Sequence, residues 1–284
     1  MSTAKDILER VRHCIDPQID ALPVLNEAIR SVAKRLFVLQ SSLLQAELSV
    51  SVWESVSLTA EDIAFVDSDP DTITSVAEAF VTTGFEAGMH ITTDETDNAG
   101  PFEIDTVAAG TLTLISTDSL TAVSAGDEIT ITSDASYGDL PSDFWGLVEY
   151  PYLSGESWHL LPLPNQQVKH SYDNAGIPLY YQIKGARIEI TPQAGSDYTI
   201  VGDYFAKPTA ITALTDTMPY YELFDDVIAE YMRTRFLTRQ QPGGTSLSSI
   251  FMAEEIDRIA MVRDKKAPYH NKTGINWNDE TRNF

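Results

Sequence analysis

Apolar residues at the start of the chain recur at helical spacing. Ile7, Leu8, Val11, Cys14 and Ile15 form one face, opened by Thr3 and Asp6 at capping-box spacing and closed by Asp16-Pro17. A stronger helix follows Pro23, with Leu25, Ala28, Ile29, Val32, Ala33, Leu36 and Phe37 on one side, and its pattern can run on to Leu43 and Leu44. The period then changes to two. Leu48, Val50, Val52, Val56 and Leu58 alternate with serines, which predicts a half-buried strand. Between Thr72 and Ser133, short runs rich in Thr, Val, Ile and Phe are separated by Gly and Asn turns, the pattern of a small β-barrel or sandwich, with a helical start possible at Ser75–Phe80.

From Leu140 proline and aromatic residues become dense: Phe144, Trp145, Tyr150-Pro151-Tyr152, Trp158, Pro162 and Pro164. A hairpin is predicted from Leu179–Ile183 and Arg187–Ile190 around a Lys184-Gly185 turn, followed by a strand over Asp197–Phe205. Helices are expected over about Tyr220–Arg239 and Ser246–Lys266, separated by Pro242-Gly243-Gly244. With helices at both ends, the economical fold is α+β: a helical core whose connection carries a β hairpin, strands and an inserted small β-barrel or sandwich. The corresponding segments are 1–47 for the N-terminal helices and 48–71 for a strand and acidic linker. The insertion is 72–133, the rest of the core 134–266, and a C-terminal tail 267–284.

Charge sharpens this division. Of 284 residues, 42 are Asp or Glu and 19 are Lys or Arg, yet residues 36–168 hold 22 acids and no Lys or Arg. The remainder is close to neutral at -1. A segment without cations cannot neutralise phosphates, so it is no surface for nucleic acid or an anionic membrane. No apolar run approaches the ~18 residues of a membrane span. Met1–Asp20 is too polar for a signal peptide, and synthesis in a reducing cytosol is expected. Cys14 is the only cysteine, which excludes a disulfide framework or a Cys-based zinc site, and its place on an apolar face makes it a small buried hydrophobe.

Candidate chemistry is sparse. Phosphate-binding glycine loops, zinc-protease motifs and nucleophile elbows are missing, and His13, His90, His159, His170 and His270 are scattered, so no enzyme, metal site or cofactor is expected. Asp67, Asp69, Asp71 and Glu78 occupy ligand positions of an EF-hand-like loop, but Thr72 replaces its glycine and Pro70 interrupts it, so an acidic linker is favoured. Asn271-Lys272-Thr273 is a glycosylation sequon with nothing else pointing to secretion. The aromatics at 144–158 can form a ligand platform or pack irregular loops. Tyr269, Trp277 and Phe284 punctuate a polar tail that cannot build a core, and they read as anchors for docking on a partner.

Three stretches carry a resemblance: Leu140-Pro141-Ser142-Asp143-Phe144; Tyr180, Gly185 and Ile188-Glu189-Ile190-Thr191-Pro192; and Tyr204-Phe205-Ala206-Lys207-Pro208. With Pro219, Phe224, Asp225 and Asp226, and the helix at 23–44, they resemble the head-to-tail adaptor (connector) proteins of tailed bacteriophages over about 20–45 and 140–266. Phe80–Ile91, Asn98–Ile104, Leu112–Leu114 and Gly126–Ile131 resemble a β module of phage tail and virion proteins, departing from it at Thr92-Thr93-Asp94. The resemblance implies a structural, non-enzymatic virion protein at the head–tail interface, assembled in the host cytoplasm as a homo-oligomeric ring, commonly a dodecamer. Its implied partners are the portal and the tail or tail-completion proteins, with DNA passing through unbound and no membrane involved. A host-surface or fibre-attachment protein, using the β domain and the aromatic loops, is the alternative.

Overall fold

The computed structural model describes residues 2–14, 20–165, 169, 171–172, 174–220, 224–240, 255–257 and 259. In chain order the first elements are α1 (Ala4–Val11), α2 (Leu22–Val38), β1 (Gln45–Val52), β2 (Ser57–Ala60), β3 (Ile63–Val66), β4 (Thr72–Ser75) and α3 (Phe80–Thr83). There follow β5 (His90–Thr93), β6 (Phe102–Ala108), β7 (Thr111–Leu114), β8 (Ile129–Ser133), β9 (Tyr137–Asp139) and β10 (Phe144–Leu147). The last are β11 (Tyr152–Leu153), β12 (Leu161–Pro162), β13 (Tyr180–Lys184), β14 (Arg187–Thr191), β15 (Tyr198–Ala206) and α4 (Asp225–Gln240).

The helical core expected from the sequence is not what forms. Fifteen strands in three sheets outnumber the four α-helices with defined bounds among the described residues, so the fold is mostly β. The proline- and aromatic-rich stretch after Leu140 carries no clean alternation, yet it supplies β10, β11 and β12 as short strands. Pairing with longer neighbours makes them strands where local pattern does not.

Two compact units divide the chain, Met1–Ala46 with Tyr204–Phe284, and Glu47–Asp203. The first holds α1, α2 and α4. Thr3 caps α1 as its pattern predicts: the Asp6 N–H donates to the Thr3 hydroxyl at 3.4 Å, and the Asp6 carboxylate accepts the Thr3 N–H at 2.8 Å. Ile7 and Val11 are buried on one side of α1, and Leu25, Ala28, Ile29, Val32, Ala33 and Leu36 on one side of α2. Both helices pack on α4, where Val227, Ile228, Met232 and Phe236 are buried, with Phe224 just before it. The apolar pattern of α2 does not carry the helix to Leu44. Gln40 takes a left-handed φ of 51°, and only a 3₁₀ turn forms at Ser42–Leu44. The Glu27 carboxylate accepts from Arg235 at 2.7 Å and from the Tyr231 hydroxyl at 3.0 Å, and Arg35 pairs with Asp257. Of the helix expected at 246–266, residues 255–257 and 259 are described, as helix.

In the second unit, seven strands run in the order β2-β8-β5-β6-β7-β4-β3. The strands at the two ends of this order, β2 and β3, are joined by only Glu61-Asp62, so the sheet curls to bring its two edges together at that link. Its interior is filled by Ile63, Phe65, Ile73, Phe80, Phe85, Met89, Ile91, Ile104, Leu112, Leu114, Ile129 and Ile131. At about 25 cal/mol per Å² of buried apolar surface, such a closed core is the main source of this element's stability. The other sheets are four-stranded: β1-β15-β10, with β11 also on β15, and β12-β13-β14-β9. The expected hairpin is β13–β14, with Lys184 opposite Arg187. Gly185 turns it at φ 61°, a conformation glycine adopts without steric cost.

Candidate functional site

Of the residues expected to act, Tyr269, Trp277 and Phe284 lie outside the described residues, as does the side chain of Cys14. The EF-hand-like loop does not gather its carboxylates. Asp67, Asp69 and Glu78 are exposed, whereas Asp71 is only 4% exposed and serves the fold. One of its oxygens accepts the Ser68 N–H at 2.7 Å and the other the Leu120 N–H at 2.5 Å. Residues 72–75 then run as strand β4, and at ~3.3 Å per residue an extended chain carries Glu78 away from Asp69 instead of wrapping a cation.

A different cluster forms that the sequence did not reveal. His90 on β5 and Glu103 on β6 are direct cross-strand partners. Their neighbours Ile91, Phe102 and Ile104 fill the barrel, so strand alternation turns His90 and Glu103 to its outside. There His90 meets β9. Its ring lies 4.9 Å from that of Tyr137, and its Nε2 pairs with Asp139 Oδ2. Arg187, opposite Asp139 across the β9–β14 ladder, donates from Nε to Asp139 Oδ1 at 3.3 Å. Its guanidinium also sits 4.2 Å from the Tyr137 ring centroid, within cation–π range. Burial pushes the Tyr137 phenol up to about 12, with Arg187 opposing and Asp134, Asp139 and Glu103 reinforcing the shift. His90, Glu103 and Asp139 form the one group among the described residues that brings three metal-ligating atoms within 4.8 Å of one another. Chain spacing could not flag it. Its members come from separate strands: register pairs His90 with Glu103, and Asp139 reaches them from β9 of another sheet.

The Lys and Arg residues that resume after the cation-free stretch are paired at once. On β14, Glu189 accepts from Lys184 at 2.7 Å and from Lys169 at 3.2 Å. Partial burial would raise the Glu189 carboxyl, but the two ammonium groups outweigh it and hold it below the usual carboxylate range.

In the aromatic stretch some rings pack and others stay in water. Phe144 and Trp145 are half-buried within β10, while Tyr150 is 52% and Trp158 40% exposed. Tyr152 packs edge-on to His159 at 5.6 Å, and His159 Nδ1 contacts the Tyr150 carbonyl at 2.6 Å. Beside them, Leu147, Val148, Glu149, Tyr150 and Tyr181 line a surface groove of about 370 Å³. Leu161, Leu179 and Ile183 are also exposed on and beside β12 and β13.

No helix of the described residues is long and apolar enough to cross a membrane. No curated protein matches the chain. A family model described as SU10 adaptor protein matches residues 107–270, from within β6 through β15 and α4, and leaves α2 and β1 outside. That match spans more than half of the sequence, and it places the chain in the SU10 adaptor protein family.

Proposed function

We propose that this chain is the subunit of a head-to-tail adaptor ring in a tailed phage. The ring docks beneath the portal, presents the attachment surface for the tail and lets the genome pass. The observation that carries this reading is the family match over residues 107–270, which supports a structural adaptor protein of a phage virion. Adaptors work by contact, and the chain has contact surface to spare: Tyr150, Trp158, Leu161, Leu179 and Ile183 leave apolar area in water that a neighbouring subunit would cover. The charge distribution suits a conduit. Residues 36–168, with 22 acids and no Lys or Arg, repel phosphate, so DNA can pass this segment without being held. The tail after Pro268, with Tyr269, Trp277 and Phe284, supplies anchors for the portal.

Negative-stain imaging of the purified protein, alone and mixed with its portal, tests the proposal. Closed rings, or portal-templated rings, are expected. A protein that stays monomeric and ignores both portal and tail components would overturn it. Deleting residues 268–284 should weaken portal docking while leaving the melting temperature within about 2 °C, because a sequence this polar cannot build a core of its own. The exposed Tyr150 and Trp158 also suit stacking on sugar rings, the mark of a host-surface binder. Glycan binding without ring formation would favour that second reading.

A further inference from the structure

We propose that His90, Glu103 and Asp139 form a binding site for one divalent transition metal of the zinc class, which staples barrel strands β5 and β6 to β9. The proposal stands on the geometry of this cluster and does not depend on the adaptor reading.

The ligands are held by the fold. Direct pairing of His90 with Glu103 sets their Cβ atoms about 4.5–5.5 Å apart, close enough to share one ion. His90 is 6% exposed, and the Tyr137 ring beside it limits its rotation. Asp139 arrives from the other side already oriented. Arg187 takes Oδ1 and leaves Oδ2 turned to the imidazole, as outer partners do for metal-binding carboxylates. The three ligating atoms lie within 4.8 Å of one another. Around a tetrahedral zinc ion, with ligands at about 2.0–2.2 Å, they would stand about 3.3–3.6 Å apart. Side-chain rotations of Glu103, which is half-buried, and Asp139, which is exposed, would bring Glu103 in and ease Asp139 out to that spacing.

Charge supplies the driving force. Glu103, Asp134 and Asp139 surround Tyr137 against the single guanidinium of Arg187. With a neutral imidazole the cluster holds two uncompensated negative charges. A proton on His90 cancels one of them, whereas a divalent cation cancels both. The simpler arrangement, a His90–Asp139 hydrogen bond alone, leaves the Glu103 carboxylate without a donor among the described residues and facing a second carboxylate. Metal coordination uses all three groups. One imidazole nitrogen with two carboxylate oxygens, and no thiolate, suits Zn²⁺, Co²⁺ or Mn²⁺ better than Ca²⁺ or Mg²⁺, which take oxygen ligands. The open side of the cluster gives the ion an entry route and a water-filled fourth position.

Chelator-treated full-length protein is titrated with Co²⁺ and Zn²⁺, read by visible d–d absorption for cobalt and by calorimetry for zinc. One ion per chain is expected, with tetrahedral cobalt bands, a thermal midpoint that rises with added Zn²⁺, and weak or no response to Ca²⁺ or Mg²⁺. Glu103→Gln, a near-isosteric change at the half-buried ligand, should keep the wild-type circular dichroism spectrum and lose affinity at least tenfold; His90→Gln should abolish the cobalt bands. Absence of stoichiometric uptake would overturn the proposal. So would uptake that is unchanged in Glu103→Gln and in the His90→Gln/Glu103→Gln double variant, since the ion would then sit on other histidines. A response to Ca²⁺ equal to that for Zn²⁺ would overturn the metal class.

Discussion

Replacing Asp71 by alanine removes the acceptor of two backbone N–H groups at once. In the wild type its carboxylate receives the Ser68 and Leu120 amides at 2.7 and 2.5 Å from a site that is 4% exposed. The two losses are unequal. Ser68 is exposed, so its N–H can turn to water, whereas Leu120 belongs to the barrel core and its N–H would stay buried without a partner. A charge-assisted hydrogen bond contributes about 1.5–3 kcal/mol, and an orphaned buried donor costs about 1–3 kcal/mol. Together they predict a loss of about 2.5–6 kcal/mol for Asp71→Ala. For a unit the size of residues 47–203, this corresponds to a fall of about 5–24 °C in midpoint. Asp71→Asn keeps one acceptor but turns an N–H₂ toward the other donor, so it should fall between wild type and alanine. Urea denaturation followed by far-UV circular dichroism, with m-values compared, reads the difference directly. Saturating Ca²⁺ should leave the wild-type midpoint in place, since this carboxylate is a structural acceptor. Asp71→Ala within about 0.5 kcal/mol of wild type, or a calcium-dependent midpoint that needs Asp71, would refute the reasoning.

Two further substitutions probe packing and charge. A Cβ on Gly138 would strike the Val50 side chain and come 2.6 Å from the Ser51 carbonyl oxygen, so Gly138→Ala should destabilise by about 1–3 kcal/mol in thermal melts; a neutral effect would show that β1 and β9 can separate freely. Glu189 carries a depressed carboxyl pKa, so its stabilising effect is complete above the unfolded value of ~4.3 and is lost as pH falls through the lower folded value. Glu189→Gln should therefore cost roughly 0.5–1 kcal/mol at pH 7 and nothing near pH 2–3. A wild-type–variant difference that does not change with pH would exclude the Lys169–Glu189–Lys184 contacts as its source.

The parts legible in the sequence are those decided by near neighbours. Thr3 and Asp6 announced the start of α1 because both partners of a capping box lie within one turn. The β13–β14 hairpin was readable because Gly185 must supply a left-handed turn between two alternating runs. The barrel segment showed itself by regular alternation, although β2 and β3, which complete it, precede the span assigned from sequence. Helix–strand balance was misjudged because strong helical periodicity at the chain ends outweighed short, proline-broken strands that only pairing stabilises.

The stretch Leu48–Leu58 shows where sequence stops. Its alternation is continuous enough to read as one strand, but the chain breaks at Trp53–Val56, leaving β1 to pair with β15 and β2 with β8 in another sheet. A period of two states that a residue is in a strand and which neighbours share its face. It carries no information about the partner strand, because ladder hydrogen bonds are made by backbone groups common to all residues. The same limit hid the His90–Glu103–Asp139–Arg187 cluster. Sequence by itself determined the first helices, the β13–β14 hairpin, the cation-free block and the family; the tertiary structure decided where the short strands form, which strands meet, and with them which charges do.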